Sequence, residues 1–151
     1  YTLGLRKLIP QTNKSYLELA AELTQMSQSP DFLVRDAGNW YVHWQIYQGY
    51  THQNQIMGAG AGFGANVQTV SATWINGETR NGFLIQRIER DPVKRVNKWT
   101  DFSIGWMPQW TYKNMILGAK VQLIRSNNYS WEKGNHPFNL HSRLMVQYNF
   151  K

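Results

Sequence analysis

Residues 139–150 read NLHSRLMVQYNF, and the alternation of polarity along them decides the fold class. One set of alternate positions is apolar apart from a serine: Leu140, Ser142, Leu144, Val146, Tyr148 and Phe150. The positions between them are mostly polar: His141, Arg143, Met145, Gln147 and Asn149. A repeat of two residues places the two sets on opposite faces of a β-strand. The stretch therefore predicts a strand with one apolar and one polar face.

The same two-residue period recurs along the chain. Six further runs show it: Tyr1–Leu8, Ser15–Met26, Gln68–Trp74, Asn81–Arg90, Asp101–Trp106 and Met115–Leu123. Within 81–90 the two faces compete, because Phe83 and Ile85 are opposed by Leu84 and Ile88. Most of the runs approach the 9–11 residues with which a tilted strand crosses a bilayer. The sequence thus predicts an all-β chain of about seven antiparallel strands.

Ser15–Met26 also fits a helix. Ser15 and Glu18 have the spacing of a capping box, and a 3.6-residue stripe runs through Tyr16, Leu19, Ala20 and Leu23. Local propensity favours this helix. The neighbouring strands and the loop lengths favour a strand, which is our expectation.

Composition points to a membrane-spanning sheet. Aromatic residues make up 14% of the chain and charged residues 17%, against roughly 25% charged residues in soluble domains. Mean hydropathy is nonetheless −0.54, and no run of 18 apolar residues occurs, which excludes a transmembrane helix. Alternation of lipid-facing and lumen-facing residues in a barrel produces this profile, which a soluble sandwich or lipocalin-like barrel shares in part. The net charge of +7 is scattered, so anionic lipopolysaccharide or acidic polysaccharide is a more natural partner than nucleic acid.

Connection lengths alternate between short and long. The short ones are Pro10–Lys14, Asn76–Gly77 and Pro108–Thr111, and the long ones are Ser27–Ala65, Asp91–Lys98 and Ser126–His136. Outer-membrane barrels have short periplasmic turns and longer external loops. We therefore expect an up-and-down transmembrane β-barrel segment in the outer membrane of a Gram-negative bacterium. Seven is an odd count for a bacterial barrel, so residues 1–151 are expected to be a single region, the C-terminal part of a larger barrel with strands before Tyr1.

Four stretches resemble known proteins, three of them one particular family. The terminal strand ends on Tyr148 and Phe150 and resembles the last strand of outer-membrane proteins, although Lys151 follows. The segments IYQGYTHQ (46–53), Ile56-Met57-Gly58 with its Gly/Ala run, and NYSW (128–131) resemble the Wzi-type capsule assembly family, over about Leu17 to Phe150. The resemblance implies a large barrel with a periplasmic-side helical plug that holds capsular polysaccharide at the cell surface.

Aromatic residues in the long connections are candidates for binding that polysaccharide. Rings stack on the apolar faces of sugars, and cations attract acidic sugars. The candidates are Trp40, Tyr41, Trp44, Tyr47, Tyr50, Tyr129 and Trp131, with Arg35 and Arg95. Packing of the same rings onto the barrel rim is the alternative. Expected partners are outer-membrane lipid and lipopolysaccharide, surface polysaccharide, and either other outer-membrane proteins or the rest of the same barrel.

Charged residues are predicted to line the lumen. They are Arg6, Glu18, Glu22, Arg87 with Glu89, Asp101, Lys120 and Arg143. Because unpaired charges there are costly, opposite signs on adjacent strands are expected to pair and close the lumen. A polar path through the barrel is the alternative.

Enzyme motifs are weak. Gly60–Ala65 fits a dinucleotide fingerprint, but a strand pattern follows where that fingerprint needs a helix. On a strand, Glu18 and Glu22 stand roughly 13 Å apart, too far for paired glycosidase carboxylates. The histidines lack metal-ligand spacing and no cysteine is present. We expect a non-enzymatic protein without metal or cofactor; a structural subunit of a larger complex, and a channel or enzyme, are the alternatives.

Overall fold

The computed structural model describes residues 1–12, 14–27, 51–52, 55–56, 64–90 and 96–150. Nine strands occur in these ranges: β1 (Thr2–Thr12), β2 (Ser15–Gln25), β3 (Thr51–His52), β4 (Gln55–Ile56), β5 (Asn66–Asn76), β6 (Thr79–Arg90), β7 (Trp99–Tyr112), β8 (Met115–Asn127) and β9 (Phe138–Tyr148). Seven of them form one antiparallel sheet in the order β1-β2-β5-β6-β7-β8-β9, while β3 and β4 pair separately. The only helical element of the described residues is a 3-10 turn at Tyr129–Trp131. The prediction of an all-β chain with seven antiparallel strands is confirmed.

The strand interpretation of Ser15–Met26 is confirmed as well. β2 pairs along its whole length with β5, and over nearly all of it with β1. Two antiparallel neighbours satisfy the backbone N–H and C=O groups on both edges of the strand. Tertiary pairing therefore overrides the local helix propensity of this leucine- and alanine-rich segment.

All three short turns differ in position from the sequence prediction. β1 continues to Thr12, with a register shift after Pro10, and β7 continues through Pro108 to Tyr112. The predicted turns begin at Pro10 and Pro108, but Pro10 lies beside a bulge of β1, an edge strand of the described sheet, where a missing N–H is tolerated. Met107 and Pro108 have no register partners on β8, yet both still pair with β6. The third turn lies one residue later than expected, at Gly77-Glu78, since Asn76 pairs with Thr79 and Gly77 has φ 59°.

The short and long connections lie at opposite ends of the sheet, as the sequence predicts. The three short turns lie at one end of the sheet, hereafter the turn end. The connections 26–65, 91–98 and 128–137 leave from the opposite end, hereafter the loop end. Tyr1 lies at the loop end beside Gln25, and Tyr148 lies at the turn end beside Met115.

Cross-strand register gives the sheet two distinct faces. The apolar face contains Leu140, Leu144 and Val146 of β9 and the residues in register with them on the other strands; the polar face contains the alternate residues. The apolar side chains are widely exposed: Leu144 is 81%, Leu5 75% and Ile104 63% accessible. The polar face carries most of the buried side chains, among them Thr24, Ser103, Gln122 and Ser126. A protein folded in water has the opposite distribution.

The sheet curves around its polar face. One of the clefts on the polar face, of about 300 Å³, is lined by residues of six strands, from Glu18 of β2 to Arg143 of β9. Gln122 Nε2 of β8 also lies 3.5 Å from Gln86 Oε1 of β6, across the intervening strand. The polar face is therefore concave and the apolar face convex.

The ambiguous faces of β6 are settled by its register. Phe83 and Ile85 lie on the apolar face, in register with Trp106 and Ile104. Leu84 lies on the polar face and is buried because Gly105 leaves room for it; a Cβ at position 105 would lie 2.9 Å from Leu84 Cγ.

Candidate functional site

A buried carboxylate organises the polar face at the loop end. Asp101 is only 6% exposed. Its Oδ1 accepts hydrogen bonds from Trp99 Nε1 at 2.7 Å and Ser126 Oγ at 2.6 Å, and its Oδ2 accepts one from Arg90 Nε at 2.9 Å. These bonds tie the end of β6, the start of β7 and the end of β8 together. Asp101 thus has the paired, hydrogen-bonded environment that a buried charge requires.

Two of the predicted sugar-binding rings pack onto this cluster. Trp99 makes edge-to-face contacts with Tyr129 and Trp131, with ring centroids 4.9 Å and 5.0 Å apart. Trp131 Nε1 donates to the carbonyl of Arg90, whose guanidinium lies 4.8 Å from the Trp99 ring centroid. These contacts match the packing alternative for Tyr129 and Trp131, although Tyr129 remains 39% exposed.

The backbone of this turn is held in an uncommon conformation. Asn128, Ser130 and Trp131 all have positive φ, between 52° and 61°. The side chain of Asn128 supports the turn by donating to the carbonyl of Lys98 and accepting from the N–H of Gly134. Contacts between connections thus hold residues 128–131 against the start of β7.

The remaining predicted ligand-binding residues lie outside the described residues. They are Arg35, Trp40, Tyr41, Trp44, Tyr47, Tyr50 and Arg95.

The predicted lumen network is divided between the two faces. Arg87 and Glu89 lie on the apolar face, contrary to the sequence expectation, because Arg87 is in register with Gln68 and Phe102. Arg87 and Glu89 follow Phe83 and Ile85 at intervals of two residues. The register that places Phe83 and Ile85 on the apolar face therefore places all four residues there. Arg87 Nη2 lies 3.3 Å from Glu89 Oε2, and Arg87 Nη1 donates to Gln68 Oε1 at 2.9 Å.

The other members of the predicted lumen network lie on the polar face. Two of them form a pair of opposite charges on adjacent strands, as the sequence predicts. Arg6 Nη1 lies 3.8 Å from Glu18 Oε2, a long contact that contributes little stability because the Arg6 side chain is largely exposed. Glu22 Oε1 accepts a 3.4 Å hydrogen bond from Thr24 Oγ1.

Lys120 and Arg143 differ from the expectation of opposite-sign pairing. They face each other directly across β8 and β9. In the described part of the chain, neither has a carboxylate within 4 Å. Like charges directly opposite on a sheet are destabilising. The expected pairing of opposite charges on adjacent strands is therefore absent at Lys120 and Arg143.

Both cations line the cleft of about 300 Å³ on the polar face. Arg80 lines it too, and no ion pair of the described residues includes it. Sequence reasoning missed Arg80, although it lies an even number of residues before Gly82 and Leu84 and so shares their face. Glu18 is the one carboxylate in the described lining, and Arg6 lies beside it.

Aromatic residues and cations border the apolar face at its ends. At the loop end, the guanidinium of Arg87 lies 6.0 Å from the Phe102 ring centroid and that of Arg125 lies 5.5 Å from that of Phe138. At the turn end the same face carries Trp74, Trp110, Tyr112 and Tyr148. Aliphatic side chains occupy most of the band between them.

No family model, curated protein or solved structure matches the chain. Within the described ranges, no helix is long and apolar enough to cross a membrane. The same ranges contain no group of three or more His, Asp or Glu side chains that could hold a metal ion.

Proposed function

We propose that this sheet is part of the wall of a transmembrane β-barrel in a Gram-negative outer membrane. The inverted distribution of side chains supports this most directly: leucine, isoleucine and phenylalanine are exposed on the convex face, while serine, threonine, glutamine and aspartate are buried on the concave face. A lipid-facing exterior and a polar lumen require this arrangement. In water, the same convex face would be a contiguous exposed apolar patch, which soluble monomers rarely present.

The width of the apolar band supports the same proposal. Phe102 and Tyr112 border the band on β7 and lie about 33 Å apart along the strand, at roughly 3.3 Å per residue. A tilt of about 40° projects this length to about 25 Å, the height of the lipid-facing band of outer-membrane barrels. Aromatic residues at both borders, with arginines beside those of the loop end, match the interfacial girdles of such barrels.

Closure of the barrel requires further strands. β1 and β9 each pair with a neighbour on one side only in the described sheet. The proposal assigns their free edges to strands from the rest of the same barrel or from another chain, because lipid cannot satisfy backbone hydrogen bonds.

We further propose that the barrel holds capsular or other surface polysaccharide at the loop end. The resemblance to the Wzi-type family and the aromatic density of residues 40–50 support this role. The connection that contains them leaves the sheet from the loop end, the same end as the turn at Tyr129–Trp131. In the proposed topology that end faces the outside of the cell.

Spin labels along β9 test the membrane proposal. The chain contains no cysteine, so single cysteines at positions 140–147 can each carry one label. In phospholipid vesicles, we expect labels at 140, 142, 144 and 146 to collide with oxygen and to be shielded from a water-soluble nickel complex. Labels at 141, 143, 145 and 147 should show the reverse, since they lie on the polar face. Equal accessibility to nickel at all eight positions would contradict a lipid-facing convex surface.

Capsule retention tests the role of the loop-end rings. We expect Trp44→Ala combined with Tyr47→Ala to weaken retention of purified capsular polysaccharide by cells, by a few-fold to about tenfold per ring, as the loss of a stacking contact predicts. The measurement compares cells with matched barrel abundance across a range of salt concentrations. Attraction by Arg35 and Arg95 should fade as salt rises, whereas stacking should persist.

A matched control removes two rings from the other end of the sheet. Trp110→Ala with Tyr112→Ala should leave retention unchanged, because both rings lie at the turn end. If the loop-end double variant retains as much polysaccharide as the unmodified protein at every salt concentration, those rings belong to rim packing.

A further inference from the structure

We propose that the cleft on the polar face binds an oxyanion with at least two negative charges, of the phosphate or carboxylate type. Arg80, Lys120 and Arg143 line this cleft, and within the described part of the sheet none of them has an ion-pair partner. This inference goes beyond the proposed function and does not depend on the membrane or on polysaccharide retention.

The charge balance of the cleft is unfavourable without an anion. Lys120 and Arg143 are direct cross-strand neighbours, so their repulsion acts at the closest spacing that a sheet provides. Glu18 could offset one positive charge, but Arg6 competes for it at 3.8 Å. An excess of positive charge on a concave surface concentrates anions from solution.

The chemistry of the lining suits an oxyanion. Two guanidinium groups can each offer a planar pair of N–H donors to one phosphate or carboxylate, and the Lys120 ammonium adds a compact charge. Thr73 and Gln109 provide neutral polar groups in the same lining. The cations project from β6, β8 and β9, so they can approach an anion from several sides. A ligand with two charged groups would engage more of them than chloride can.

The residues beside the cations pack closely around Gly82. Val121, next to Lys120, pairs with Trp106 of β7. Met107 follows Trp106 and pairs with Gly82 of β6, which pairs with Thr73 of β5. A Cβ at position 82 would lie 2.8 Å from Thr73 Oγ1, so a larger residue there would displace the lining. Glycine at this position makes room for the side chains of Thr73 and Met107, both of which line the cleft.

The test is calorimetric titration of the full chain, folded in uncharged detergent micelles at low salt. The probes are inorganic pyrophosphate and digalacturonate, with chloride as the reference anion. We expect saturable binding of at least one probe and about tenfold weaker binding for both Lys120→Gln and Arg143→Gln, the effect of one charge-assisted hydrogen bond. Tighter binding of pyrophosphate would assign the site to phosphate, and tighter binding of digalacturonate would assign it to acidic sugars.

Lys7→Gln is the matched control. It removes one positive charge from an exposed residue in register with Leu19 on the apolar face, away from the cleft. Affinity should change by less than about twofold. Absence of saturable binding for both probes, or an equal loss of affinity in Lys7→Gln, would overturn the proposal.

Thermal unfolding distinguishes a role of Lys120 in anion binding from a purely structural role. Without anion, Lys120→Gln should unfold at a higher temperature than the unmodified protein, because it relieves repulsion. The increase in unfolding temperature on adding the bound probe should shrink in the same variant. A lower unfolding temperature for Lys120→Gln together with unchanged anion binding would show that Lys120 serves packing alone.

Discussion

Replacing Ile104 by arginine is expected to cost about 2–4 kcal/mol of unfolding free energy in a phospholipid bilayer. Ile104 lies near the middle of β7 on the apolar face, between Ile85 of β6 and Leu123 of β8. All three side chains are more than half exposed. In the proposed barrel, arginine at this depth must carry its charge into hydrocarbon or distort the bilayer to reach water. On a water-exposed surface the same substitution would change stability by only about 0.5 kcal/mol.

The measurement is reversible unfolding by denaturant of protein folded into lipid vesicles. His141→Arg is the control. Leu140 of β9 lies in the same cross-strand row as Ile104, and His141, the next residue, faces the polar side of the sheet at a similar depth. This control should cost far less than the Ile104 substitution. Equal losses for the two variants would show that the convex face does not contact lipid.

Much of the sheet follows from the sequence because alternation is a local signal. The Asn139–Phe150 pattern predicts a strand without knowledge of its neighbours, and the other runs repeat it. Ser15–Met26 required the surrounding strands as an additional argument, since its own residues fit a helix equally well. Turn positions were less predictable, because proline ends a strand only where the missing N–H is needed for pairing.

Register explains what the sequence could not predict about the charged residues. Alternation assigns Lys120 and Arg143 to one face, but it does not show that they lie opposite each other. β8 and β9 are joined by residues 128–137 rather than by a two-residue turn, so turn type does not fix their register. β6 has apolar residues at both sets of alternate positions, so its sequence does not show which set lies on the apolar face. Arg87 was therefore predicted on the wrong face.

The packing of Tyr129 and Trp131 depends on contacts distant in sequence. Both rings contact Trp99, about 30 positions earlier, through a turn that contains left-handed residues at Asn128, Ser130 and Trp131. Only residues such as asparagine indicate such a conformation from sequence. Aromatic density identified the loop end as notable, but it could not separate rings that bind a ligand from rings that pack on Trp99.

Removing the carboxylate of Asp101 should destabilise this loop-end cluster by about 3 kcal/mol. In Asp101→Ala, Trp99 Nε1 and Ser126 Oγ lose their shared acceptor, and Arg90 loses its ion-pair partner. Ser126 is 2% exposed, so water cannot readily replace its lost bond. Denaturant unfolding measures the loss, and near-ultraviolet circular dichroism reports the packing of Trp99 against its neighbouring rings.

Glu132→Ala is the matched control for Asp101→Ala, since it removes a carboxylate from the same end of the sheet. Glu132 is exposed, and its Oε2 accepts a 3.0 Å bond from Asn135 Nδ2. The change should therefore cost no more than about 0.5 kcal/mol. Asp101→Asn should fall between the two, because an amide oxygen can still accept a hydrogen bond but cannot balance the charge of Arg90. If Asp101→Ala loses no more stability than Glu132→Ala, then ring packing alone holds residues 128–131 against β7, without the buried carboxylate.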